Sequence, residues 1–111
     1  ADDMFVCGGE NIYPGEVEAL LERHPDIIQA CVVPIPDEIK HEKPFAFVVT
    51  RNGRDLSEDA VKQYALAHAP AFQHPRHVVF MPELPLASTG KVDRVALRRR
   101  ALEHRQMERK A

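Results

Sequence analysis

Two stretches of this chain carry residue types whose spacing suits chemistry better than packing. One is Gly8-Gly9-Glu10-Asn11-Ile12-Tyr13-Pro14, and the other is Pro85-Leu86-Ala87-Ser88-Thr89-Gly90-Lys91-Val92-Asp93-Arg94. Adjacent glycines reach positive φ and leave no side chain above the backbone, so another chain or a thin ligand can pass close by. Taken alone, the pair equally suits a tight turn between a strand and a helix, with Glu10 bonded within the loop. The second stretch resembles a phosphate loop, but that pattern requires Gly where Pro85 stands and Ser or Thr where Val92 stands. What is left is one lysine on a flexible loop of small residues. Such a lysine is ordinarily just solvated. Its chemical use is as a mobile point charge against phosphoryl or carboxylate oxygens in a transition state.

Other chemistry-bearing residues form weaker constellations. His24, His41, His68, His74, His77 and His104 show no metal-ligand spacing with Cys7 or Cys31, so no metal site is expected. Ser57 lacks flanking elbow glycines and reads as a helix cap rather than a nucleophile.

The elements that must position these stretches alternate at short spacing. Met4–Cys7 is a strand candidate that stops at the glycines. Pro14–Arg23 reads as a helix, with Pro14 at its first position, an apolar stripe of Val17, Leu20 and Leu21, and a stop at His24-Pro25. Ile27–Ile35 and Phe45–Thr50 are rich in β-branched residues and read as strands, joined to the next element by an Arg51–Arg54 turn. Ser57 opens a helix to about Ala69, whose stripe is Val61, Tyr64, Ala65 and His68. His77–Met81 is a further strand, Pro82–Lys91 has no period, and Asp93 caps a last helix through Leu102 that ends in a polar tail at 103–111. The order β-α-β-β-α-β-α predicts an α+β domain: a small three-stranded sheet packed by helices, preceded by a short strand or hairpin.

Composition bounds the function. At 111 residues and 44% apolar content the chain is one globular domain without internal repeat or linker. No apolar run approaches the ~20 residues of a membrane span. Residues 1–59 hold 5 Lys and Arg against 13 Asp and Glu, whereas residues 60–111 hold 10 against 4. The basic run Arg98-Arg99-Arg100 shares its helix with Glu103 and Glu108, so a solvated face explains it better than nucleic acid. Tryptophan is absent, as is an aromatic RNA-binding strand. Two cysteines make no disulfide framework, and the first residues lack a basic-then-apolar signal segment, which together predict a cytoplasmic protein.

Asp2-Asp3-Met4, Gly8 through Glu18, Pro34-Ile35-Pro36-Asp37, Glu42 through Val49 and Ser88 through Arg94 together resemble the C-terminal domain of the adenylate-forming, AMP-binding acyl-CoA synthetases. The resemblance covers nearly the whole chain. It implies a large N-terminal domain that holds ATP, Mg²⁺ and a carboxylic acid. Over that domain the C-terminal one swings, first for adenylation and then for thioester formation with CoA.

Residue by residue, the resemblance puts Asp2 on the hinge and Lys91 on the adenylation lysine, bridging the acid carboxylate and the α-phosphate. Gly8 and Gly9 fall on one wall of the pantetheine tunnel, and Glu10 on the same motif. Phe72-Gln73-His74-Pro75 lacks the Lys that the family often carries there, so His74 or Arg76, with Phe72, would meet the nucleotide end of CoA. The Pro85-x4-Gly90-Lys91 spacing also resembles the segment that lysine acetyltransferases modify in such ligases. Two rivals stay open: an adenylation domain of peptide-synthetase type serving a carrier protein, and a non-catalytic interaction domain of the same fold. The isolated chain is expected to fold and to be inactive, because it has no segment that grips ATP.

Overall fold

The chain closes its core around one long central strand, as a computed structural model shows for residues 4–51 and 55–110. The elements are β1 (Phe5–Cys7), β2 (Glu10–Ile12), α1 (Pro14–Glu22), β3 (Ile27–Asp37), β4 (His41–Thr50), α2 (Glu58–His68), β5 (His77–Phe80) and α3 (Arg94–Lys110), with a 3₁₀ turn at Ala71–Gln73. β4 is the hub. β3 pairs antiparallel along its length, β5 pairs parallel to its middle, and β1 joins its first residue through Cys7 and His41.

The expected three-stranded sheet is therefore too small. The hairpin β1–β2 continues the same sheet, giving five strands among the described residues. The α+β class stands.

β4 is buried on both faces, and its apolar run sorts by parity. Ala46 and Val48 pack with Val17, Leu20 and Leu21 of α1 and Val61 and Ala65 of α2. Phe45, Phe47 and Val49 pack on the other side with Leu97 and Ala101 of α3. A strand covered on both sides needs a continuous apolar sequence rather than alternation, which is what Phe45–Val49 supplies. The helices begin as the sequence predicts, with Pro14 opening α1 and Ser57 Oγ accepting from Ala60 N at 3.0 Å to cap α2. His68 is exposed, its ring stacked on Tyr64 rather than buried.

Asp93 caps α3, its Oδ1 accepting from Ala96 N at 3.0 Å. The predicted stop at Leu102 is wrong, because α3 runs on to Lys110. The segment holds no Gly or Pro, and Glu108 meets His104 one turn earlier at 3.4 Å, so nothing breaks the helix.

β3 is an edge strand, and its outer side is clothed by side chains. Glu22 and Glu18 accept from the amides of Ala30 and Val32, while Arg94 and Arg98 donate to the carbonyls of Val32 and Pro34.

Candidate functional site

Gly8 and Gly9 form the two-residue turn of the β1–β2 hairpin, closed by the Cys7–Glu10 pair. Both have positive φ, 58° and 85°, the pattern of the type I′ turn that matches strand twist. The glycines are thus a hairpin turn, not the direct strand-to-helix turn. The Gly8 amide donates to the Lys40 carbonyl at 3.0 Å, and the same carbonyl accepts from Glu42 N at 2.9 Å around His41, whose φ is 71°. That pins the hairpin to the start of β4. A Cβ on Gly8 would stand 3.1 Å from Lys40 Cδ, whereas one on Gly9 would meet nothing within 4 Å. At Gly9 it is the backbone conformation that demands glycine, and the space above it is open to a ligand.

Beside the hairpin lies a basic hollow of about 370 Å³ lined by Asp37, Ile39, Lys40, Lys43, Arg76 and His77. Arg76 reaches Cys7 Sγ at 3.7 Å and also donates to the carbonyls of Phe72 and His74. The structure therefore brings Arg76 to the glycine turn, with Phe72 and His74 forming the turn that holds its guanidinium. Burial pulls the His74 imidazole below its ordinary pKa. Lys40 and Lys43 do not stand out in the sequence. Their only signal there is a Lys-x2-Lys between two strands, which a solvated loop explains as well.

Lys91 sits in the other stretch, which is more ordered than a flexible loop. Ala87 N donates to the Lys91 carbonyl at 2.7 Å, Gly90 N to Ala87 at 2.9 Å and Asp93 N to Pro85 at 2.8 Å. With Leu86 bridged to Val92 and Gly90 at φ 88°, this is a three-residue hairpin loop with one left-handed glycine. The Lys91 side chain is exposed above it.

The end of the second stretch is tied to α1, the helix that follows the first. Arg94 makes a bidentate pair with Glu18, both contacts at 2.8 Å, and Glu18 also accepts from Val32 N. This link spans 76 residues and no spacing rule announces it. Cys31, next to Arg94, is an inert thiol whose pKa burial pushes up to about 12. The hinge candidate Asp2 lies outside the described residues.

The arrangement offers bare backbone beside a polycationic hollow, and a separate exposed ammonium on a closed loop. Among known families, the model of the AMP-binding enzyme C-terminal domain matches residues 16–91. The chain belongs to that family.

A 2-methylpropanoate–CoA ligase of Humulus lupulus is 43% identical over 98 residues, 86% of this chain and 18% of that protein. A putative acyl-CoA synthetase of Bacillus subtilis is 35% identical over 101 residues, 91% of this chain and 18% of the relative. Among solved structures, the amide bond synthetase of Marinactinospora thermotolerans superposes with a TM-score of 0.84 at 32% identity, over 87% of this chain and 20% of that one. This AMP-binding enzyme C-terminal domain thus spans about a fifth of the length of such relatives. No helix among its described residues is long and apolar enough to cross a membrane.

Proposed function

We propose that residues 1–111 are the C-terminal domain of a cytoplasmic AMP-forming acid–CoA ligase, hinged near Asp2 on a large N-terminal domain. The observation that carries this reading is Lys91, exposed on a loop whose backbone is closed by hydrogen bonds and anchored through Arg94 to Glu18. A charge meant to meet the reacting carboxylate and α-phosphate must be presented at a defined place, and this loop defines it. The N-terminal domain would hold the acid, ATP and its Mg²⁺.

In the second half-reaction the domain rotates and offers its other working surface. Gly8 and Gly9 leave a path for the pantetheine arm, with Glu10 at the turn's closing pair. Lys40, Lys43 and Arg76, with His74 and Phe72 behind, supply cations for the phosphates at the nucleotide end of CoA. A cluster of this kind favours CoA over the carrier protein of a peptide synthetase, and an intact Lys91 loop speaks against a purely non-catalytic domain. Acetylation of Lys91 by a lysine acetyltransferase would remove the charge and switch adenylation off reversibly.

The test separates the half-reactions in the full-length ligase carrying Lys91→Ala. ATP–pyrophosphate exchange should collapse while thioester formation from supplied acyl-adenylate continues. Unchanged exchange would overturn the catalytic and regulatory roles of Lys91 together.

A further inference from the structure

We propose that His77, His104 and Glu108 form a binding site for a divalent transition-metal ion, with zinc the best match. His77 is the first residue of β5, and His104 and Glu108 lie one turn apart on α3. The fold brings His77 Nδ1 to 3.3 Å and His104 Nε2 to 3.4 Å from the same Glu108 Oε1. All three donor atoms lie within 4.8 Å of one another.

The metric fits a metal. Donors about 2.0–2.1 Å from a tetrahedral zinc stand roughly 3.3–3.4 Å apart. Two of the three edges already have that length, and the third is within 4.8 Å. Phe45 supplies the floor that orients both imidazoles. Its fully buried ring stacks on His77 at 5.4 Å between centroids and meets His104 edge-on at 5.5 Å.

His77 and Glu108 also line a hollow of about 370 Å³ together with Asp37, Glu38, Lys43 and Arg105, which leaves room for a water or exogenous ligand beside the cluster. Lys43 is paired with Asp37 at 3.6 Å, which tempers its repulsion of a cation. Two imidazoles and one carboxylate with an open position suit zinc, nickel or copper, and disfavour magnesium and calcium. The set has no spacing relation to Cys7 or Cys31; in the sequence it shows only as His104-x3-Glu108.

The experiment is titration of the chelator-treated chain with zinc chloride at neutral pH, followed by calorimetry and thermal melting. One equivalent should bind, the melting midpoint should rise with free zinc, and cobalt should give the visible bands of a tetrahedral site. His104→Gln and Glu108→Gln should each weaken zinc binding by at least about 10–100-fold, the scale that loss of an outer-shell partner alone produces. Both side chains are about half exposed, so the variants keep the fold, which circular dichroism verifies. His68→Gln, on α2, should leave affinity unchanged. A chain that binds no zinc, or binds it equally well in both site variants, overturns the proposal and leaves a plain His–Glu–His contact pinning α3 to β5.

Discussion

The Gly8-Gly9 turn and the Ser88–Gly90 turn are both glycine hairpins, yet they are stiffened from opposite directions. The first borrows its rigidity from the sheet, through three β1–β2 pairs and the Gly8–Lys40 bond. The second belongs to no sheet strand; its own backbone hydrogen bonds close it, and it is held to the start of α3 through the Asp93 cap and the Arg94–Glu18 pair. A backbone wall and a presented charge have different tolerances. The wall must keep its conformation and stay bare. The charge needs only a stable root, and its four-carbon stem covers the remaining distance.

The largest expected effect breaks the comparison at the charge. Lys91→Ala should slow adenylation by about 10²–10³-fold, as for loss of one transition-state charge contact. The second half-reaction, measured from supplied acyl-adenylate, should barely change.

The reciprocal break is Gly8→Asn. Asn-Gly is the favoured pair for a type I′ turn, so this variant retains the hairpin while placing a side chain over the backbone. Thioester formation should fall by about 10²-fold with adenylation intact. Equal loss of both half-reactions would make the turn merely structural. Leucine would be a poorer probe, because a branched residue at φ 58° strains the turn itself.

Smaller effects sharpen the contrast. Gly90→Ala, at φ 88°, should cost about 1–2 kcal/mol of stability by chemical denaturation and reduce adenylation alone. Glu18→Gln removes the anchor of Arg94, which is itself partly exposed, and should cost about 1 kcal/mol. Its adenylation rate should drop more than its thioester rate, since the pair ties the root of the Lys91 loop to α1 and the edge of β3.

The smallest effect is a pH slope. The folded pKa of His74 lies below its ordinary 6.5, so the unfolded chain takes up the proton first. Stability is full above about pH 6.5 and declines as the pH falls below it. Denaturant titrations should show a steeper pH dependence of stability in that window for wild type than for His74→Gln, whatever the constant offset between them.

Local chemistry explains what is legible without the structure. Pro14, Ser57 and Asp93 announce their helix starts because each acts on neighbours within three residues. Gly8, Gly9 and Lys91 stand out because their types do not serve packing. What stays hidden is long-range or silent. β2 is only three residues with a single buried position, Ile12, too short for a period. The extension of α3 has a strongly polar sequence, and its contact with the sheet through His77 is unreadable without the fold. The roles of Glu18, Arg94, Lys40 and Lys43 each depend on a partner supplied by a distant element.

The clothed edge of β3 bears on solubility. An open strand edge invites another chain to add to the sheet. Here Glu22 and Glu18 already occupy the outward amides of Ala30 and Val32, and the next two outward positions are Pro34 and Pro36, which have no amide to offer. If the domain swings as proposed, it repeatedly uncovers surface to solvent. With this edge sealed by carboxylates, guanidinium groups and prolines, it would leave one surface and reach another without templating strand-by-strand self-assembly on the way.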